Sequence, residues 1–132
     1  MRLILHQMFI SENIHITAEF IIEKDKVEQF KILIREMSES VETNEPDTLV
    51  YQFYLNHEKT TCMVHETYRN SEAAILHNNS IASKTILPRI LSIAKLNQFD
   101  AYGNPNEELR NMLKAFNSQT FSLFTGFNRL SD

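Results

Sequence analysis

The chain is poor in cysteine, glycine and proline, and it contains no tryptophan. Its one cysteine, Cys62, excludes an internal disulfide, and a single thiol is typical of proteins from reducing compartments. With only two glycines, the sequence has no Gly-rich loop of the kind that binds phosphate groups. Few glycines and prolines also leave no flexible linker, so we expect the 132 residues to form one cytoplasmic domain.

Long hydrophobic runs and clusters of one charge sign are also missing. The apolar stretches fall well short of the roughly 20 residues that span a bilayer, so no membrane association is expected. The net charge is −4, with acidic and basic residues interspersed, and this pattern does not favour nucleic acid as a partner. The five histidines show no spacing typical of a zinc or iron site, so we expect neither a metal nor another cofactor.

The hydrophobic residues that are present change their period along the chain. They alternate over residues 13–21, which predicts a half-buried strand, and then recur every three or four residues over 24–43, which predicts a helix. The same criteria predict further strands at 49–55, 60–68 and 96–102, helices from about residue 72 and over 81–93, and a last helix and Phe-rich strand within 104–132, the strand over 120–129.

Proline and asparagine residues mark where several of these helices start and stop. Pro46 is expected to end the first helix, because proline has no backbone N–H and disfavours helical geometry at the preceding residue. For the same reason, Pro88 predicts a break within the helical segment 81–93. Asn104 is expected to cap the last helix, with Pro105 at its first position.

The order of these elements predicts an α+β fold. Strand, helix, two strands, helix and strand are typical of the ferredoxin-like split βαβ layout, an antiparallel sheet with helices on one face. We expect residues 13–103 to form this domain, residues 1–12 to be an N-terminal arm or edge strand, and 104–132 to complete the same domain. Several strands carry apolar residues on both faces, so the uncovered face predicts a homodimer. The last strand either completes the sheet or crosses to the partner.

Short motifs in the central part of the chain resemble the antibiotic biosynthesis monooxygenase domain. They are Glu45-Pro46-Asp47-Thr48, Tyr51-Gln52-Phe53-Tyr54, His65-Glu66-Thr67-Tyr68, and Ser71-Glu72-Ala73 followed by His77. The resemblance covers about residues 13–102. Two positions depart from the usual pattern, since Tyr68 stands where tryptophan is common and Asp47 where glycine is common.

The resemblance implies a dimeric α+β barrel, in which two sheets pack face to face. The family includes small monooxygenases that act on quinols or polyphenols without metal or flavin, relatives that degrade haem, and many proteins with no known activity. The lack of tryptophan disfavours the haem-degrading branch. The implied function is a cofactor-independent monooxygenase that oxidises a quinol-like or polyphenolic aromatic with dioxygen. Because fold does not fix function, a non-catalytic dimeric small-molecule-binding or stress-response domain is the alternative.

The candidate catalytic residues are Glu66, Tyr68 and His77. Glu66 and Tyr68 are two apart on one predicted strand and share a face, over which His77 can pack from the next helix. A carboxylate, a phenol and an imidazole around an apolar cavity could remove a proton from a small phenolic substrate. We expect further side chains to line the same cavity and bind the substrate, namely Tyr54, Val50, Leu76, Phe99 and Phe20.

Purely structural roles for these side chains stay open on the sequence alone. His77 can hydrogen-bond Glu66 simply to join the helix to the sheet, and Tyr68 can be a core residue with its hydroxyl at the surface. The alternation places Tyr51 and His65 on the opposite face, toward a partner subunit. Cys62 is expected to be a small buried hydrophobe rather than a nucleophile.

Overall fold

The computed structural model describes residues 11–130 and confirms the ferredoxin-like α+β fold. Its strands are β1 (Ile14–Ile22), β2 (Thr48–Leu55), β3 (Thr61–Tyr68), β4 (Ala94–Tyr102) and β5 (Thr120–Phe121). Its helices are α1 (Val27–Asn44), α2 (Ser71–Asn78), α3 (Ile81–Thr85), α4 (Leu87–Leu91) and α5 (Glu107–Lys114). The predicted arm at 1–12 falls, except for its last two residues, outside the described residues.

The sheet has the strand order β2-β3-β1-β4-β5, and helices cover one of its faces. β1 lies at its centre and pairs antiparallel with both β3 and β4. The alternation seen in the sequence of β1 is confirmed, because one set of its side chains is buried beneath the helices: Ile14, Ile16, Ala18 and Phe20.

The core beneath the helices consists of two separate clusters. The first lies under α1, whose inner face buries Phe30, Leu33, Met37 and Val41. The second is formed around Ile14, Tyr68 and Leu109, and Phe99 packs against both. Each large apolar side chain that is fully buried contributes roughly 1.5–3 kcal/mol to folding. Within the described part of the chain, no helix is both long enough and apolar enough to cross a bilayer.

Proline ends one helix as predicted but does not break another where expected. α1 stops at Asn44, directly before Glu45-Pro46. In the segment 81–93 the break falls at Ile86, between α3 and α4, and not at Pro88. Pro88 lies in the first turn of α4, where its missing N–H would have had no helical acceptor.

The last helix begins two residues later than predicted. Asn106, not Asn104, is the N-cap of α5, and its side-chain oxygen accepts a hydrogen bond from the Leu109 N–H at 2.8 Å. The Asn106 N–H in turn donates to the Ser71 hydroxyl oxygen at 3.0 Å, which ties this turn to the start of α2. The side chain of Asn104 instead accepts a hydrogen bond from Arg110 at 2.9 Å. The later start of α5 thus coincides with a tertiary contact between Asn106 and Ser71, which the sequence alone does not reveal.

The Phe-rich C-terminal strand is much shorter than predicted. β5 spans only Thr120–Phe121, which pair in parallel with Ala101 and Tyr102 at the end of β4. β4 stops there because the next residue, Gly103, has φ +129, and a Cβ at this position would lie 2.8 Å from the Asn13 carbonyl oxygen. Without a neighbouring strand, the following chain leaves large apolar side chains exposed, namely Leu123, Phe124, Phe127 and Leu130.

The sheet face opposite the helices has a mixed character. Polar residues such as His15, Thr17 and His65 lie there beside the apolar Met63 and the aromatic Tyr54. His15 Nδ1 and the Thr67 hydroxyl are 2.9 Å apart across two strands. This face is therefore less apolar than the sequence suggested, although it has no covering layer within residues 11–130.

Candidate functional site

An internal cavity lies between the sheet and the helices, where the two core clusters meet. It has a volume of about 70 Å³. Since about 10–15 Å³ is enough for one water, the cavity has room for a small ring. Its walls are mainly apolar and include Phe20, Met37, Ile90 and Phe99. Ionisable side chains also line it, namely Tyr51, Glu66, Tyr68 and His77.

Glu66 and Tyr68 share the helix-covered face of β3, as their spacing predicted. Both side chains are buried, and the Tyr68 hydroxyl donates a hydrogen bond to Glu66 Oε1. Burial raises the pKa of Glu66, and the nearby His77 and the hydrogen bond from Tyr68 oppose that rise. Burial, followed by the charge of Glu66, also raises the pKa of Tyr68 well above its usual value. Tyr68 is therefore a hydrogen-bond donor here, with its hydroxyl inside rather than at the surface.

His77 reaches the same site from the last turn of α2. The Asn70 side chain caps this helix by accepting a hydrogen bond from the Ala73 N–H at 2.9 Å. The Ser83 hydroxyl donates to the His77 carbonyl oxygen at 2.6 Å and joins the end of α2 to α3. The imidazole Nε2 then lies 4.0 Å from Glu66 Oε1, so the structure brings the three candidate catalytic residues together.

Glu45 is a further residue of this cluster that the sequence reasoning did not identify. It directly follows α1, its side chain is only 3% exposed, and Oε1 lies 2.7 Å from His77 Nδ1. The other carboxylate oxygen, Oε2, is buried without a hydrogen-bond partner among the described residues. A residue in a turn is normally expected at the surface, so the sequence gives little reason to expect Glu45 in a buried cluster. Its position in the Glu-Pro motif is the one sequence signal that could have pointed to it.

Tyr51, rather than Tyr54, lines the cavity from β2, which corrects two predictions. Tyr51 pairs directly opposite Glu66, so both side chains lie on the helix-covered face, and its ring is 5.3 Å from that of His77. Burial, then the charges of Glu66 and Glu45, raises the pKa of Tyr51. Tyr54 is 51% exposed, and its ring packs 5.0 Å from His65 on the opposite face. The alternation was correct, but the faces of β2 were assigned the wrong way round.

Of the other four residues predicted to line the cavity, two do so and two do not. Phe20 and Phe99 line the cavity. Val50 does not, because it pairs with Thr67 on the opposite face after a register shift between Thr48 and Val50. Leu76 is 56% exposed and borders a separate depression on the outer surface of the helices.

Two further expectations concern thiol and metal chemistry. Cys62 is buried as predicted, and burial raises the pKa of its thiol to about 11, so the thiol is protonated at neutral pH. Within residues 11–130, no group of three or more His, Cys, Asp or Glu side chains is arranged to hold a metal ion.

The fold and the buried ionisable cluster define a ferredoxin-like α+β domain with a largely buried candidate site. Residues 13–89 match the model of the family described as antibiotic biosynthesis monooxygenase, and the chain belongs to that family. This match confirms the resemblance inferred from the sequence motifs. Comparison with curated proteins gives no match.

Solved structures share the fold to different extents. MupZ from Pseudomonas fluorescens aligns with a TM-score of 0.81 at 22% identity, over 92% of this chain and 98% of its own. A conserved protein from Methanosarcina mazei aligns with a TM-score of 0.62 at 20% identity, over 68% and 90% of the two chains. A protein from Caulobacter crescentus, proposed to be an antibiotic biosynthesis monooxygenase, gives a TM-score of 0.64 at 19% identity, over 74% and 93%. These identities establish a shared fold alone.

The likeness to MupZ also bears on the C-terminal segment. A coverage of 92% is more than residues 1–103 can provide, so part of the segment after residue 103 is included in it. The structure from Methanosarcina mazei aligns over 68% of the chain, a length that residues 13–103 can provide without that segment.

Proposed function

We propose that this protein is a cofactor-independent monooxygenase that oxidises a quinol-like or polyphenolic aromatic with dioxygen. The observation that carries the proposal is the apolar cavity that holds Glu66, Tyr68 and His77 together beneath the helices. Membership of the antibiotic biosynthesis monooxygenase family supports the reaction class. The aromatic rings in the cavity wall, Phe20, Tyr51 and Phe99, favour an aromatic substrate.

The proposed reaction begins with removal of a phenolic proton. The resulting phenolate is electron-rich enough to reduce dioxygen, and a new carbon–oxygen bond forms as a hydroperoxide. Loss of water from the hydroperoxide leaves a carbonyl group, so that a hydroquinone and dioxygen give a hydroxyquinone and water. The chain supplies the base and a site shielded from solvent, which suppresses side reactions of the intermediate.

Glu66 and His77 are the candidate bases for this proton. The raised pKa of Glu66 makes its carboxylate a stronger base than an exposed glutamate. The Tyr68 hydroxyl, which donates to Glu66, can turn to donate to a substrate oxygen when Glu66 takes up the proton. With Glu66 as the base, its ionised form is the active one, so activity is expected to rise with pH through that raised pKa.

Oxygen uptake with a panel of hydroquinones tests this function. Glu66→Gln, Tyr68→Phe and His77→Ala should each lower kcat/KM about 100-fold, since a positioned acid or base typically contributes 10²–10⁴-fold. Glu42→Gln and His57→Ala are matched controls, because both residues are exposed and lie outside the cavity wall. Wild-type uptake at the background rate, or equal effects of site and control variants, would contradict the proposal. Binding of hydroquinones without uptake would instead favour a non-catalytic binding domain.

We also propose that the protein is a cytoplasmic homodimer that associates through the open face of its sheet. Three observations support this arrangement: the face lacks a covering layer within residues 11–130, it contains aromatic and apolar side chains, and the exposed apolar tail, residues 122–130, starts at its edge. Phe121 in β5 stacks on Tyr102 of β4, with ring centroids 5.3 Å apart, which anchors the tail beside that face. In this arrangement the tail of each subunit packs against its partner.

A further inference from the structure

Glu45 is buried where a carboxylate is electrostatically unfavourable. It directly follows α1, at the helix end where carbonyl groups carry a partial negative charge, and the last turn of α1 contains no basic residue. Its Oε2 is buried without a hydrogen-bond partner among residues 11–130. Because an unpaired buried carboxylate strongly destabilises a fold, the arrangement depends on the contacts of Glu45 Oε1, which accepts a hydrogen bond from the Thr48 hydroxyl at 3.5 Å and lies close to His77.

The contact between Glu45 and His77 determines which imidazole nitrogen of His77 carries hydrogen. Glu45 Oε1 lies 2.7 Å from Nδ1, and an ionised carboxylate can only accept a hydrogen bond. With Glu45 ionised, Nδ1 is the nitrogen that carries hydrogen and donates to Oε1, which leaves a lone pair on Nε2 in the neutral ring. Nε2 lies 4.0 Å from Glu66 Oε1, and the rings of Tyr51 and Tyr68 lie 5.3 and 5.4 Å from the imidazole.

We propose that Glu45 is a positioning residue that holds neutral His77 in the Nδ1–H tautomer and directs its Nε2 lone pair toward Glu66 and the cavity. Glu45 is not part of the cavity wall, so it acts through His77 and does not touch a substrate. The catalytic consequence rests on the proposed function, in which His77 is one of two candidate bases and would accept the phenolic proton on Nε2. A simple ion pair between α1 and α2 would instead need a doubly protonated ring.

The tautomer can be read directly from the ¹⁵N shifts and long-range ¹H–¹⁵N correlations of the imidazole at pH 8. The groups that face His77 are Glu45 from the end of α1, Tyr51 from β2, and Glu66 and Tyr68 from β3. We expect wild-type His77 to be neutral, with hydrogen on Nδ1. Free histidine in water prefers hydrogen on Nε2, so this result would differ from the intrinsic preference of the ring.

Two substitutions separate the acceptor from the bulk of the side chain. Glu45→Met keeps the volume but removes the acceptor, and it should make the Nε2–H form the major one. Glu45→Gln keeps a carbonyl oxygen and should retain most of the Nδ1–H form. His15, which contacts Thr67 on the opposite face, is the internal control and should not change. A wild-type ring with hydrogen on Nε2 or on both nitrogens, or a spectrum unaltered by Glu45→Met, would overturn the proposal. If Glu45→Met fails to fold, the wild-type and Glu45→Gln spectra still decide.

Because the tautomer is measured without substrate, its result is independent of the proposed monooxygenase activity. Absence of oxygen uptake by the wild type would overturn the function and leave the positioning role intact. Where uptake is present, Glu45→Met should lower kcat about 10-fold or more, with KM within about 2-fold. A change confined to KM would overturn the link between this tautomer and the reaction.

Discussion

Tyr51 and Tyr54 are three residues apart on β2, and they face opposite sides of the sheet. Tyr51→Ala should weaken hydroquinone binding about 10-fold, because the ring borders the cavity and an aromatic contact is worth roughly 0.5–1.5 kcal/mol. Tyr54→Ala is the matched control and should change the affinity less than about 2-fold. Calorimetric titration under anaerobic conditions measures both without turnover. A larger effect at Tyr54 would contradict this assignment of the two faces.

Tyr51 and Tyr54 also show which features of the candidate site could be predicted from the sequence. Spacing alone was enough to put Glu66 and Tyr68 on one face, since alternation along a single strand is a local property. Which side chains of β2 face the helices depends on the register of β2 with β3. This register shifts between Thr48 and Val50, so the alternation within β2 does not reveal which set is buried. Glu45 was missed because its burial depends on His77, a contact between residues that are 32 positions apart.

At the scale of single elements, the start of α5 gives a direct test of the structure. Asn106→Ala should lower the free energy of unfolding by about 1 kcal/mol, because the residue satisfies a backbone N–H as the N-cap of the helix. Asn104→Ala should cost no more than about 0.5 kcal/mol, as is usual for an exposed position that makes no such cap. Urea denaturation of both variants distinguishes them. Equal losses would favour the cap position predicted from the sequence.

Most elements could be predicted because each has its own hydrophobic period or breaker. β1, α1 and β3 all show such a signal, and their observed bounds lie within three residues of the predicted ones. β5 was predicted too long, because composition shows strand propensity but does not show where the neighbouring strand ends. The break at Ile86 likewise has no signal in the residue itself.

At the scale of the whole molecule, the exposed C-terminal tail is the feature most in need of a partner. Truncation after Phe121 should weaken the proposed homodimer at least 10-fold, or about 1.4 kcal/mol. This is a modest fraction of what burial of several large apolar side chains provides. Ile32→Ser is the control, because Ile32 is 61% exposed on α1, away from the sheet. Sedimentation velocity measures the association, and a stable wild-type monomer at micromolar concentration would contradict the dimer.

The position of the cavity between the two core clusters has a consequence for how the binding of a small molecule would affect stability. The cluster under α1 and the cluster around Tyr68 border the same cavity, and side chains from both line it. A ring that enters this volume would touch both clusters and take the place that a core side chain has in a solid interior. The contacts that bind the ring would then also be contacts within the folded core. A molecule that fits the cavity would therefore raise the free energy of unfolding.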